Sequence, residues 1–469
     1  MTPAGETAPA ERPVPVEPPV RAEQRVPAEQ RVPAEQSGSG ESGPVGESVA
    51  ERPSGRPGLE GRPAGRVVRF LVEYGLPFAV AVILVPFIIS GGRPWPWAPA
   101  MIDLDVYRFG VQSLLSGQGI YDVLSPGWNL AYIYPPFAAI IMLPLAVGPV
   151  WLWRLLWIAL LVWAQQSVLR RCGVPRGGVL GLVGATALVA VEPLRTTLGY
   201  GQVNTLLMAL VVLDLLPDRR RRWPRGVGIG VAAAIKLTPA LFGVFALFAR
   251  RARIAWTSAA AFAVATLLGV LVLPRESLRF WTGDIPAGTS GPQYVGNQSM
   301  SGLATRFFGL DLPGRAAGVL LGVLVALLAI VVARYWWLTG HRVFALALVG
   351  LATNLASPLA WTHHFVWVLP LLVAVITDTG LPTWVRRIGL AWGVWISIQL
   401  PLTVLPYTFD AAAHYTFGQD LLANVTPLVG LVLYVGLFVA LLRRPRGEAA
   451  AYARAVEEAD RSETVAPVG

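Results

Sequence analysis

Charge and cysteine are what this 469-residue chain has least of. Only 14% of its residues are charged, while 54% are hydrophobic. Ordinary soluble domains carry about 25% charged residues. So little charge cannot keep so much apolar sequence dissolved as one globule, which excludes an ordinary soluble protein and leaves a polytopic membrane protein. The single Cys172 forms no intrachain disulfide and is silent about redox compartment. There is no Cys/His spacing for zinc, no Walker A loop and no dinucleotide glycine fingerprint, so those metal and nucleotide classes are excluded. Residues 1–66 have no apolar core, so no signal peptide is expected among them.

What is present fits a membrane. Gly, Pro and Trp number 48, 39 and 17, a composition that suits broken helices and interfacial aromatics. The net charge of +10 sits in short clusters between apolar runs; clusters of this kind set orientation rather than bind nucleic acid. The segment 1–66 is rich in Pro, Glu, Arg, Ala and Gly and carries a near-repeat, Arg25-Val26-Pro27-Ala28-Glu29-Gln30 followed by Arg31-Val32-Pro33-Ala34-Glu35-Gln36. It is expected to be a disordered cytoplasmic arm. A membrane domain over 67–445 follows, then a polar cytoplasmic tail, 446–469, with a short helix from Glu448 to Arg461.

A membrane-spanning helix needs about 17 to 25 apolar residues. Full spans are expected near 68–90, 150–170, 177–195, 202–217, 253–273, 313–338, 343–360, 364–378, 385–405 and 421–442. Two apolar segments read differently. Residues 135–149 are short and bounded by prolines, as in a juxtamembrane helix. Residues 226–249 could cross once, but Arg219-Arg220-Arg221-Arg222 and Arg250-Arg251-Ala252-Arg253 flank them, and one crossing would put an Arg cluster outside. With Lys236-Leu237-Thr238-Pro239 at the centre, the segment reads as two half-helices forming a re-entrant hairpin. Both termini and all Arg clusters then fall on the cytoplasmic side.

This arrangement gathers the unusual polar residues on the outer face. The first outer loop holds Asp103, Asp105, Tyr107 and Arg108, then Tyr132-Ile133-Tyr134-Pro135-Pro136. The next loops hold Gly199-Tyr200-Gly201-Gln202-Val203-Asn204, Gly296-Asn297-Gln298-Ser299 with Arg306, and Ser357-Pro358-Leu359-Ala360-Trp361-Thr362-His363-His364. Ionisable groups near membrane depth are costly and point to function. Each also has a structural reading. Asp103 fits a helix N-cap, and Asp105 a first-turn charge favoured by the helix dipole. The histidines fit interfacial residues bonded to backbone, the amides interhelical hydrogen-bonders, and Lys236 a structural counter-charge.

The run Asp103-Leu104-Asp105-Val106-Tyr107, with Gly110 and Gly119-Ile120-Tyr121-Asp122, resembles the first outer loop of the GT-C superfamily of membrane glycosyltransferases. Tyr132-Ile133-Tyr134-Pro135-Pro136, Gly201-Gln202-Val203-Asn204, Lys236-Leu237-Thr238-Pro239, Gly296-Asn297-Gln298-Ser299 and Trp361-Thr362-His363-His364 narrow the resemblance. Together they are similar to glycosyltransferase family 87, the actinobacterial polyprenyl-phosphomannose-dependent α-1,2-mannosyltransferases, over residues 68–445. The resemblance implies an all-α, GT-C-like bundle of about ten spans. To these are added the hairpin and juxtamembrane helices in the first outer loop.

It also implies a reaction: an acceptor hydroxyl attacks the anomeric carbon of a polyprenyl-phosphate sugar, with inversion, at the outer leaflet of the plasma membrane. The Asp that opens the family's Asp-Leu-x-Val-Tyr motif falls on Asp103, as base, while Asp105 occupies the variable position. The His-His motif carries donor-phosphate or sugar contact to His363 and His364. Our own reading adds Lys236 and Arg306 for phosphate, and Tyr134, Gln202, Asn204, Asn297 and Gln298 for sugar hydroxyls. No metal site and no cofactor are expected, although the carboxylates alone leave a divalent ion open. The expected partners are the lipid-linked donor, a glycolipid or glycan acceptor and the bilayer, with no nucleic acid. Two rivals stand beside this reading: a GT-C transferase of a polyprenyl-phosphate arabinose or glucose, and a lipid-linked sugar flippase. A transporter would place its polar groups near mid-membrane, often within internal repeats; the polar set here lies on one face.

Overall fold

A computed structural model describes residues 63–216, 223–284, 291–406 and 415–444, together with Gly447, Tyr452, Arg454, Glu457 and Glu458. The expected N-terminal arm up to residue 62, the Arg219–Arg222 cluster and most of the C-terminal tail lie outside these residues; the arm's last four residues open the helix Pro63–Phe70. Among the described residues the regular structure is helical, and extended pairing is confined to isolated bridges such as Asn297–Trp361. The chain is an all-α polytopic membrane protein.

Among the described residues, five helices are long and apolar enough to cross a membrane: Gly65–Phe87, Val150–Arg171, Ala252–Val272, Leu312–Leu338 and Val425–Leu442. A sixth crossing is made if Gly178–Ala190 and Glu192–Tyr200, bent by 80° at Val191, count as one. The bend falls where Pro193, at the start of the second piece, has no N–H to give the turn before it. Other expected spans are shorter than their apolar runs. The 202–217 run gives the 12-residue helix Asn204–Leu215, about 18 Å long at 1.5 Å per residue, too short for a core of about 30 Å. The 343–360 run ends as helix at Ala356. The 385–405 run is split at Gln399, left-handed at φ 52° just before Pro401, into the helix Thr383–Ile398 and the five-residue helix Leu400–Val404. Hydropathy runs straight through such breaks, which is why the sequence suggests more full-length spans than the helices supply.

The hairpin has direct geometric support. Residues 226–249 form two half-helices, Val227–Ile235 and Ala240–Phe248, separated at Lys236 to Pro239. Gly226 and Gly230 lie against Ile254 and Ser258 of the long Ala252–Val272 helix, so closely that a Cβ on either would clash. Ala234 packs with Ala265 further along. The first half-helix thus runs parallel to the long helix. Gly243 of the second also lies against Ser258, and this half-helix returns towards Arg251, where the long helix begins. Two antiparallel pieces therefore share one stretch of a single neighbour. At their common base the charges of Arg225, Arg251 and Arg342 act on one another. At the tip sits Lys236. The expected juxtamembrane segment is also short, a helix over Pro136–Met142 and a 3-10 turn over Leu143–Ala146.

Candidate active site

The helix Ile102–Leu115 carries the first group. Its N-cap is Met101, held in the left-handed region at φ 33°. Asp103 therefore lies inside the first turn and is not the cap. Residues four apart share a helix face, so Asp103 and Tyr107 point together, while Asp105 points elsewhere. Asp105 meets Arg154 at 3.5 Å, with Arg108 and Trp128 also near enough to favour its charge. The two carboxylates do not form a pair.

Asp103 lies beside Gln202 and within reach of the Lys236 charge, both of which favour its ionised form. Gln202 arrives on a tight turn whose Gly201 has φ +69° and where a Cβ would lie 2.8 Å from Leu104 Cβ. Only glycine lets the turn come so close to the helix. The Tyr107 and Tyr134 hydroxyls donate to Gln202 Oε1 at 2.7 and 2.8 Å. Burial pushes the Asp103 carboxyl up to about 7, against the opposing pull of Lys236 and Gln202.

Lys236 Nζ donates to Asn204 Oδ1 at 3.1 Å and meets His364 Nε2 at 3.1 Å. An ammonium has no acceptor, so His364 Nε2 accepts and the imidazole proton sits on Nδ1. The ammonium also lies 5.8 Å from the Tyr134 ring centre. The His363 ring stands edge-on to Tyr200 at 4.8 Å and to His364 at 4.6 Å. Its main-chain carbonyl accepts from Thr197 at 2.7 Å and Asn204 at 3.0 Å; that of His364 accepts from Asn354 at 2.9 Å. Asp103, Tyr134, Gln202, Asn204, Lys236, His363 and His364, from five separate segments, thus meet in one place. Lys236, Asn204 and His364 share a cavity with Thr238, Asn354 and Trp367.

Asn297, Gln298 and Arg306 belong to a neighbouring network. Asn297 donates to Pro292 O at 2.8 Å and accepts from Ala360 N at 3.0 Å. Gln298 donates to Val295 O at 2.6 Å and Ala423 O at 3.1 Å. Arg306 donates to Asn424 Oδ1 at 2.7 Å, to Asn297 O at 3.0 Å and to Tyr294 O at 3.1 Å. Burial draws its guanidinium down to about 10 while Asp420 opposes the shift, so it stays cationic at neutral pH. Apart from Gln298 Oε1, which is buried without a partner among the described residues, these side chains are committed to backbone and to Asn424. They brace the loop that leads into Trp361-Thr362-His363-His364.

Sequence reasoning named Tyr107 without giving it a role and passed over Glu192. Glu192 is 7% exposed; its Oε1 accepts from Thr362 at 3.0 Å and Thr196 at 2.8 Å. With Thr197 it docks the bent helix Glu192–Tyr200 onto the histidine turn. A signal was there: Glu192 is the one acidic residue between Asp122 and Asp214. Asp122 itself pairs at 2.6 Å with Arg279 of the helix Pro274–Thr282.

A helical membrane scaffold thus gathers a carboxylate, an ammonium and two imidazoles, and the ammonium and the His364 imidazole line a cavity. The comparisons with known proteins give this arrangement its class. The model of Glycosyltransferase family 87 matches residues 132–358. A Mycobacterium tuberculosis protein named polyprenol-phosphate-mannose-dependent alpha-(1-2)-phosphatidylinositol mannoside mannosyltransferase is 32% identical over 381 residues, 74% of this chain and 87% of that relative. The Mycolicibacterium smegmatis protein of the same name is 31% identical, covering 66% of this chain and 77% of the relative. A second protein of that organism, a phosphatidylinositol pentamannoside mannosyltransferase, is 33% identical over 64% of this chain and 74% of its own length. No solved structure matches. The chain is a membrane-embedded glycosyltransferase. It belongs to glycosyltransferase family 87.

Proposed function

We propose that the protein transfers mannose from a polyprenyl-phosphate donor to a hydroxyl of a glycolipid acceptor, at the outer face of the plasma membrane and with inversion. The donor, and a mannosylated phosphatidylinositol as acceptor class, are suggested by the names of the mycobacterial relatives. The observation that carries the reading is Asp103 in the field of Lys236.

The chemistry then divides between them. The acceptor oxygen forms a bond to the anomeric carbon as the bond from that carbon to the phosphate oxygen breaks. The hydroxyl proton passes to Asp103, whose carboxyl, raised towards neutrality, is matched to general base work at physiological pH. The phosphate, a singly charged diester in the donor, leaves as a monoester with a further negative charge. Lys236, held by Asn204 and His364, faces that growing charge. The His364 Nδ1–H and the His363 ring complete the phosphate and sugar contacts. Tyr134 and Asn204 border the sugar position. Asn297, Gln298 and Arg306 support the histidine loop. Both termini and the Arg225–Arg251–Arg342 base of the hairpin face the cytoplasm, and the arm 1–66 and tail 446–469 flank the catalytic domain on that side.

Lys236→Gln tests the phosphate role: kcat for polyprenyl-phosphomannose is expected to fall by about 10²- to 10³-fold in protein that still inserts and purifies as wild type. Full turnover in that variant would remove Lys236 from the site.

A further inference from the structure

We propose that Tyr107 and Gln202 are positioning residues for the Asp103 carboxylate, with Tyr107 fixing the Gln202 amide so that its NH₂ group is presented to Asp103. The inference rests on the reading of Asp103 as base.

A buried glutamine amide can sit in either of two orientations, and only its partners decide. Val203 N–H lies 3.0 Å from the Gln202 atom assigned as Oε1. A peptide N–H only donates, so that atom is the oxygen. The same oxygen faces the Tyr107 and Tyr134 hydroxyls at 2.7 and 2.8 Å. The hydroxyls are themselves 3.0 Å apart. Two phenolic protons serve this triangle of three oxygens, and Oε1 is the point on which they converge. With the oxygen fully engaged on one side, the NH₂ group is left on the other, the side on which Gln202 acts on Asp103. Gln202 thus has no free acceptor with which to read a sugar hydroxyl.

Tyr107 is 0% exposed and lies one helical turn beyond Asp103, so carboxylate and clamp ride on the same rigid element. Tyr134 is fixed in turn, its carbonyl accepting from Tyr121 at 2.7 Å. A donor held against a carboxylate favours the charged form and opposes the effect of burial. It also fixes the direction in which the carboxylate faces the incoming hydroxyl. Substrate need not touch either residue.

The test is the pH dependence of single-turnover mannosyl transfer by purified full-length protein in lipid nanodiscs, for wild type, Tyr107→Phe, Gln202→Leu, Gln202→Glu and Asp103→Asn. Removing the donor raises the carboxyl pKa, so the acid limb should move to higher pH, by about half a unit in Tyr107→Phe and about one unit in Gln202→Leu. The maximal rate should fall by about 3- to 10-fold and about 30- to 100-fold respectively. Half-saturating donor concentration should change by less than about twofold. Gln202→Glu keeps an acceptor for both tyrosines but sets a second carboxylate beside Asp103; its limb should move furthest, with the thermal transition unchanged. Limbs that stay at the wild-type pH in every variant, with Asp103→Asn inactive, overturn the positioning role and leave the base assignment standing. Wild-type turnover in Asp103→Asn overturns both.

Discussion

At the scale of single residues, burial and charge pull Asp103 in opposite directions, and the balance decides its chemistry. Burial lifts its carboxyl to about 7 although a lysine and an amide donor resist. A base must be ionised to accept a proton, so kcat/KM should rise with pH through about 7 and fall away below it, read from initial rates between pH 5.5 and 8.5. Asp105→Asn, two residues on, removes a charge that faces Arg154 and Arg108 rather than Lys236 and should cost less than about tenfold in kcat. Arg306 tests a different property. Its guanidinium is spent on Asn424 and backbone carbonyls. Arg306→Met should therefore lower stability by about 2 to 3 kcal/mol, seen as a lower thermal transition in detergent. Half-saturating donor in the surviving protein should stay unchanged; a large rise there would place Arg306 on the phosphate instead. Most of the central cluster was legible at this scale, because Asp103, Lys236, Gln202, Asn204 and the His pair are costly residues in an apolar chain. The separate fate of Asn297, Gln298 and Arg306 was not. A motif gives residue types but not which side chain the backbone will consume.

At the scale of elements, the site is held by broken helices rather than continuous ones. The hairpin break delivers Lys236, the bend at Val191 delivers the Glu192–Tyr200 helix, and the turn before Val368 delivers both histidines. The hairpin could be foreseen because Arg clusters bracket an apolar run with a Lys-Leu-Thr-Pro centre. The end of the 343–360 run at Ala356 and the break at Gln399 could not, since neither interrupts the apolar pattern. Glu192 and Thr362 form the seam between the bent helix and the histidine turn. Thr362→Val leaves Oε1 with Thr196 alone and frees the turn. It should lower kcat by about 10-fold, whereas Thr362→Ser, which keeps the hydroxyl, should restore most of it. Equal loss in both variants would show that shape rather than the hydrogen bond holds the seam.

For the whole molecule, composition alone placed the chain in a membrane and the motif set placed it in its family, while orientation rests on the distribution of arginine. That orientation has a direct check. Cys172 is buried, so cysteines placed by Trp223→Cys and Ala252→Cys act as reporters at the two ends of the hairpin. Both should resist a membrane-impermeant thiol reagent applied to intact cells and react after permeabilisation. Labelling of only one from outside would turn the hairpin into a crossing, and labelling of both would invert the protein. The central claim, mannosyl transfer with Asp103 as base, is tested most directly by reconstituting the purified protein in vesicles with isotope-labelled polyprenyl-phosphomannose and a phosphatidylinositol mannoside. The lipid products are then read by mass spectrometry, and their anomeric configuration by NMR. We expect one labelled hexose added in α linkage by the wild type, and none by Asp103→Asn reconstituted to the same level. Product formed at the wild-type rate by Asp103→Asn, or donor translocated by the wild type without any product, would contradict it.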